Sequence, residues 1–155
     1  MSKGVKFKEI SVHETPEQSP GFLLWHVSTA WRSSIEAVLK PLSLTHPQFV
    51  VLATLGWLTR NKERVTQVAI GKMAGLDPNT TSQILRGLEN KKLIKRESSL
   101  DGRAKNPLLT DLGADILIKA LPAVEMADAK FFKGLNSQEM TLILKMFKKM
   151  GDDLI

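Results

Sequence analysis

The sequence contains no cysteine, which excludes disulfide scaffolds, thiolate zinc sites, iron–sulfur clusters and cysteine-based catalysis or redox sensing. It also lacks a long apolar run. The longest stretch free of charged and strongly polar side chains, Phe49 to Leu58, is too short to span a bilayer. The first twenty residues, MSKGVKFKEISVHETPEQSP, carry charge throughout and no apolar h-region, so they do not read as a secretory signal. A cytoplasmic protein with no membrane partner is the expectation. Absent too are the phosphate-cradling GxxxxGK pattern, the dinucleotide GxGxxG and the nucleophile GxSxG, and no serine has a motif-level His or Asp partner. No catalytic residue is assigned, and an enzyme is not expected. His13, His26 and His46 form no HxH or HExxH pair, so neither a metal nor a cofactor is expected.

What is present fits a single globular domain. The chain has 155 residues, 43% apolar and 25% charged, enough to bury roughly 70% of its unfolded surface. Twenty-two Lys and Arg against sixteen Asp and Glu give a formal charge of +6, a balance that both a polyanionic partner and plain solubility can produce. Its location is informative. Between Thr45 and Thr110 there are eleven basic residues and five acidic ones, so this segment carries the entire excess.

Apolar spacing organises the rest. Ser19 and Pro20 mark a helix start, and Leu24, Val27, Trp31, Ile35 and Val38 recur at helical spacing until about Lys40, where Pro41 stops it. Phe22, Leu23, Trp25, Ala30 and Leu39 widen that stripe beyond one core face, which suggests burial against a partner subunit. Thr45 and Pro47 open a second, mostly buried helix to Leu58. Two short helical segments follow, about Thr66 to Ala74 and Pro78 to Asn90, joined by Gly75-Leu76-Asp77-Pro78. There Gly75 suits a left-handed stop, Asp77 a cap and Pro78 a first helical position. This predicts a helix-turn-helix. Ile94 with Arg96 to Ser98, a loop holding Asp101-Gly102, and Pro107 to Leu109 then read as a β-hairpin wing. Thr110 caps a helix reaching toward Phe132 that Pro122 kinks or interrupts, and Asn136 with Glu139 forms a capping box for a last helix. Helical spacing makes Trp25, Trp31, Phe131, Phe132 and Phe147 core or subunit-interface residues.

Three strings in this order resemble the multiple antibiotic resistance regulator (MarR) family of winged helix-turn-helix transcription factors. Leu44-Thr45-His46-Pro47-Gln48-Phe49-Val50-Val51-Leu52 is similar to the family's second-helix opening, and Leu88-Glu89-Asn90-Lys91-Lys92-Leu93-Ile94 to its recognition-helix exit. Asp101-Gly102-Arg103, with Leu109-Thr110-Asp111-Leu112-Gly113, resembles its wing tip and the start of the next helix. The resemblance covers about residues 20 to 150. It implies a mainly α fold with a small β-hairpin wing: a polar leader over 1–18 and one domain over 19–155. Within that domain it implies a winged lobe about 45–110, and dimerisation helices about 19–40 and 110–151. Two residues depart from the pattern. Lys92 stands where the family usually has Gly, at a cost of about 1 kcal/mol if the backbone there is left-handed. Pro107 removes a donor from the returning wing strand and threatens to shorten the hairpin.

In a winged helix the second helix of the motif enters the major groove. With Thr81, Ile84, Leu85 and Leu88 facing inward, Asn79, Thr80, Ser82, Gln83 and Arg86 point outward. Asn79 and Gln83 are four apart and can each bond adenine in a bidentate way, and Arg86 can reach guanine or phosphate. An ordinary polar helix surface has the same composition. Arg103 at the wing tip suits a narrow minor groove, with Asp101 as its orienter or as a turn-former. Lys91, Lys95, Arg96 and Lys105 would neutralise phosphates, or be loose solvated cations. The resemblance implies a homodimer on a palindromic double-stranded operator, a repressor in most members, released by a small aromatic or phenolic effector. His26 is the histidine expected to approach the effector's junction between dimer helices and lobe. A winged-helix protein-interaction or architectural DNA-binding module without effector control is the alternative.

Overall fold

The structure, a computed structural model, describes residues 4–98 and 105–152. Its helices are α1 (Phe7–Ile10), α2 (Pro20–Leu39), α3 (His46–Leu58), α4 (Gln67–Ala74), α5 (Pro78–Asn90), α6 (Asp111–Phe131) and α7 (Ser137–Gly151). Between α5 and α6 lie β1 (Ile94–Ser98) and β2 (Lys105–Leu109), and single 3-10 turns stand at Pro16–Gln18 and Lys40–Leu42. The fold is mainly α with a two-stranded hairpin, as the sequence predicts. Helix α1 is new, being a single turn too short to display a period.

The long helices begin where a side chain takes up orphan amides. Ser19 Oγ accepts from the Phe22 amide and Thr66 Oγ1 from that of Ala69. Asn136 Oδ1 accepts from both Gln138 and Glu139. At α3 the cap is reciprocal, because Thr45 takes the Gln48 amide while Gln48 Oε1 takes that of Thr45. Each such cap is worth about 1 kcal/mol.

Helix α3 is the axle of the core. Its His46, Phe49, Val51, Leu52, Thr54 and Leu55 are all buried, and positions so spaced point around most of the helix, so neighbours must cover it on several sides. They are supplied by Ile35 and Leu39 of α2, Ile70 of α4, Leu85 and Leu88 of α5, Leu93 and Ile94 at the wing root, and Ala120 and Val124 of α6. Trp31 Nε1 donates to Asp128 Oδ1 at 2.7 Å, tying α2 to α6.

Neither of the two prolines expected to disturb elements interrupts one. Pro122 lies inside α6, which continues unbroken from Asp111 to Phe131. Pro107 is fully buried opposite Arg96, and pairing continues past it to Ser98 opposite Lys105. An antiparallel strand needs a donor only at alternate residues, so a proline at a non-bonding position leaves the hairpin at full length.

Candidate nucleic-acid interface

The turn between α4 and α5 is built from local chemistry. Gly75 takes φ +65° and the Leu76 amide closes back on the Gly71 carbonyl at 2.9 Å, which stops α4 in two residues. Asp77 then caps α5, accepting from the Thr80 amide at 2.9 Å and from the Thr80 hydroxyl. Those bonds, the hydroxyl first, hold the Asp77 carboxyl below the ordinary carboxylate range. Thr81 turns inward, and its hydroxyl donates to the Asp77 carbonyl at 2.8 Å. A Cβ on Gly71 would stand 2.7 Å from Thr81 Oγ1. Glycine therefore lets α4 and α5 touch, a requirement set by tertiary approach and invisible in sequence spacing.

This frame presents one polar face. Thr81, Leu85 and Leu88 are buried, Ile84 is half-buried, and Asn79, Gln83 and Arg86 are exposed along the opposite side of α5. Ser82 and Thr80 are half-buried, and the Thr80 hydroxyl is committed to the cap. Of the five candidate readers, Asn79, Gln83 and Arg86 are thus the exposed ones.

The far end of α5 is equally determined. Lys92 adopts φ +60°, so the position is left-handed and bears the modest strain its departure from glycine implies. The Leu93 amide returns to the Leu88 carbonyl at 3.0 Å, and Thr110 Oγ1 donates to the Lys92 carbonyl at 2.7 Å. A Cβ on Gly113 would fall 1.9 Å from the Leu93 carbonyl oxygen. Helix α6 therefore begins in backbone contact with the exit of α5, and Gly113 is a structural requirement that the sequence pattern alone did not expose.

The basic residues divide. Lys95 is an exposed strand residue paired with Glu97 at 3.2 Å, and Lys105 is the β2 residue opposite Ser98. Arg103 and Asp101 lie outside the described residues. Lys91 and Arg96, the other two expected phosphate contacts, each hold partners within the protein. Lys91 Nζ donates to the Ser43 carbonyl at 2.5 Å and to Gln48 Oε1 at 2.7 Å, fastening the end of α5 to the elbow between α2 and α3. The Arg96 side chain is only 19% exposed, with Nε 3.3 Å from Glu89 Oε2 and Nη1 within 3.5 Å of Gln67 Oε1. Strand alternation turns it toward the helices, where two carboxamide or carboxylate partners are available.

Comparison with known proteins agrees with this architecture. A MarR family model matches residues 44–104. YdcH of Bacillus subtilis, described as an uncharacterized helix-turn-helix-type transcriptional regulator, is 33% identical over 125 residues, covering 80% of this chain and 85% of that one. This chain belongs to the MarR family. It is a DNA-binding transcriptional regulator. The transcriptional repressor Rv2887 of Mycobacterium tuberculosis is 29% identical over 134 residues, 86% of this chain and 94% of its own. A crystal structure of Rv2887 with salicylic acid superposes with a TM-score of 0.63, covering 86% and 96% of the two chains at 26% identity. CouR of Rhodococcus jostii, crystallised with p-coumaroyl-CoA, shares the fold with a TM-score of 0.77 at 22% identity, covering 89% and 95%.

Two further features of this MarR member lie outside the helix-turn-helix. A largely apolar groove of about 510 Å³ lies between α3 and α6, lined by Ala53, Gly56, Trp57, Leu109, Leu117, Ile118 and Leu121. Arg60 stands at it, its guanidinium 3.8 Å from the centre of the Trp57 ring and Nη1 donating to the Trp57 carbonyl at 2.6 Å. Of the two histidines near α2, His46 is the one packed between α2 and the winged lobe. His26 packs edge-on against Phe22 on the exposed half of α2, whereas His46 opens α3 and meets Trp31 edge-on at 5.0 Å. Burial, then the Arg32 charge, pushes the His46 pKa down, against the pull of Glu36 and Asp128.

Proposed function

We propose that this MarR regulator is a homodimeric, sequence-specific repressor. Asn79, Gln83 and Arg86 read base edges in the major groove, while Arg103 enters the adjacent minor groove. Thr80 and Ser82 border the same face, and Lys95 and Lys105 flank it as phosphate contacts. The observation that carries this reading is the exposed polar face of α5 on a helix fixed at both ends. A reader's side chains must arrive at base edges without a further ordering cost.

Dimerisation follows from the unpartnered apolar surface of 19–40 and 110–151. Leu24 is 59% exposed, Trp25 69% and Phe147 45%, and a groove of about 560 Å³ between α2, α6 and α7 is lined by Leu24, Val27, Ile143, Leu144 and Phe147. A monomer rarely leaves so much contiguous apolar surface in water. A twofold partner seated there gives two recognition helices that match half-sites about 34 Å apart on a palindromic operator.

The effector site is the groove of Trp57 and Arg60. A planar apolar body fits between α3 and α6, and a carboxylate satisfies the guanidinium. The relative crystallised with salicylic acid, Rv2887, supports an aromatic acid as the ligand class. Release from DNA then equals the effector's differential affinity for the two spacings of the recognition helices.

The test is a binding series at about 0.15 M salt on the duplex upstream of the regulator's own gene, with each base pair varied. Gln83→Ala and Asn79→Ala should each relax preference at particular base pairs by about 1 to 3 kcal/mol. Equal losses on every base variant would remove the readout assignment, and equal binding to a scrambled duplex would favour an architectural role.

A further inference from the structure

Among the described residues Arg96 is the least exposed cation of the winged lobe, and its chemistry is unfinished. Its Nε and Nη2 are out of contact with solvent and make no hydrogen bond of good geometry, although Nε lies 3.3 Å from the Glu89 carboxylate. Glu89 belongs to the last turn of the recognition helix, Gln67 opens α4, and Arg96 itself is the middle residue of β1. One guanidinium thus touches both helices of the motif from the strand that carries the wing. A buried charge held by one carboxylate strongly resists displacement of that partner, because the alternative is an unpaired cation in a poorly solvated place.

We infer that Arg96 is a positioning residue for DNA binding: through Glu89 and Gln67 it fixes the angle between the wing and the recognition helix, so that minor-groove and major-groove contacts are made together. Helix α5 meets the major groove and the wing the minor groove beside it, and a small rotation between them releases one contact whenever the other is made. The inference rests on the reading of α5 and the wing as the DNA contacts. It replaces a phosphate contact at Arg96, which an inward-turned guanidinium cannot supply.

The two roles predict opposite signs at Glu89. If charge alone matters, Glu89→Gln removes a negative group near the phosphates and tightens binding. If Arg96 positions the wing, Glu89→Gln loosens the tie and weakens operator binding by about tenfold. Arg96→Met should produce a similar loss while the slope of log K against log salt is unchanged, whereas loss of a phosphate contact would shrink that slope by about 0.9. Arg96→Lys should not restore affinity, since a point charge cannot span Glu89 and Gln67.

The experiment is salt-dependent operator binding of the full chain and of Glu89→Gln, Arg96→Met and Arg103→Ala, with the Arg96→Met and Arg103→Ala double variant. Thermal melts identify any variant that fails to fold, and the half-exposed Glu89 keeps the test usable if Arg96→Met is one of them. Weakening by Glu89→Gln, an unchanged salt slope, and a smaller Arg96→Met effect once Arg103 is gone would support the inference. Tighter binding by Glu89→Gln, or a slope reduced by about one unit, would overturn it while leaving the Gln83→Ala readout intact. Binding indifferent to both Gln83→Ala and Arg103→Ala would overturn the inference together with the DNA-contact reading beneath it.

Discussion

The segment around α3 to β2 and the flanking helices solve the burial problem differently. In the first, α3 is covered on several sides by its own chain, and Leu52, Leu55, Ile70, Leu85 and Leu88 have no exposed surface. In the second, α7 has no buried residue at all, and α2 is buried only toward its C-terminal half, at Ile35 and Leu39. The flanking helices are the more apolar of the two in sequence, so apolar content alone does not decide which region is buried. What differs is where the covering atoms come from. A segment that covers itself can hold a polar face in fixed register, and helices that do not cover themselves leave an apolar face open, which the proposed dimer would cover.

Four perturbations would break or sharpen that contrast, beginning with the most severe. Gly113→Val places carbon against the Leu93 carbonyl, where backbone cannot yield. It should cost about 4 kcal/mol or more, in the range that marks loss of the fold, and thermal unfolding would show it independently of protein concentration. Leu24→Asp combined with Phe147→Asp should instead leave a cooperative melt while lowering operator affinity by about 10² to 10⁴, the usual loss when linked sites are separated. Sedimentation would confirm monomers. If the double variant unfolds outright, the flanking helices belong to the core and the contrast fails.

Arg60→Met is a narrower probe. It should leave operator binding intact and abolish release by an aromatic acid, measured as the ligand concentration needed to dissociate the duplex. The smallest effect concerns pH. Since the His46 pKa is depressed in the fold, the unfolded chain binds a proton more readily, and stability rises with pH wherever that difference exists. The contribution is complete above the unfolded value of 6.5 and is lost as pH falls below it toward the folded value. His46→Phe should keep the edge contact with Trp31 and flatten this part of the melting profile, and an unchanged profile would remove His46 from the junction's energetics.

Much of the fold was legible because the signals are local. Ser19, Asp77, Thr110 and Asn136 cap the helices their spacing announced, and Gly75 stops α4, since a cap or a left-handed stop depends on neighbours within a few residues. The outward face of α5 followed from Thr81, Leu85 and Leu88. What sequence did not disclose depends on distant chain. Gly71 and Gly113 are required by the approach of another element, and His46 is buried because Trp31 of α2 packs against it. Lys91 and Arg96 read as free cations because nothing in their own strand or helix announces Gln48, Ser43 or Gln67 as partners. Pro107 looked disruptive for the complementary reason, that its ladder position is set by register with Arg96.

The most direct test of the account is sedimentation of the free chain and of its complex with the duplex upstream of its gene, at about 0.15 M salt. The account predicts a species of twice the chain mass in both states and one dimer per site, with a scrambled duplex bound roughly a thousandfold more weakly. A monomer that binds both duplexes equally would contradict it, because the exposed helices would then have no second copy to cover them and α5 no paired half-sites to read.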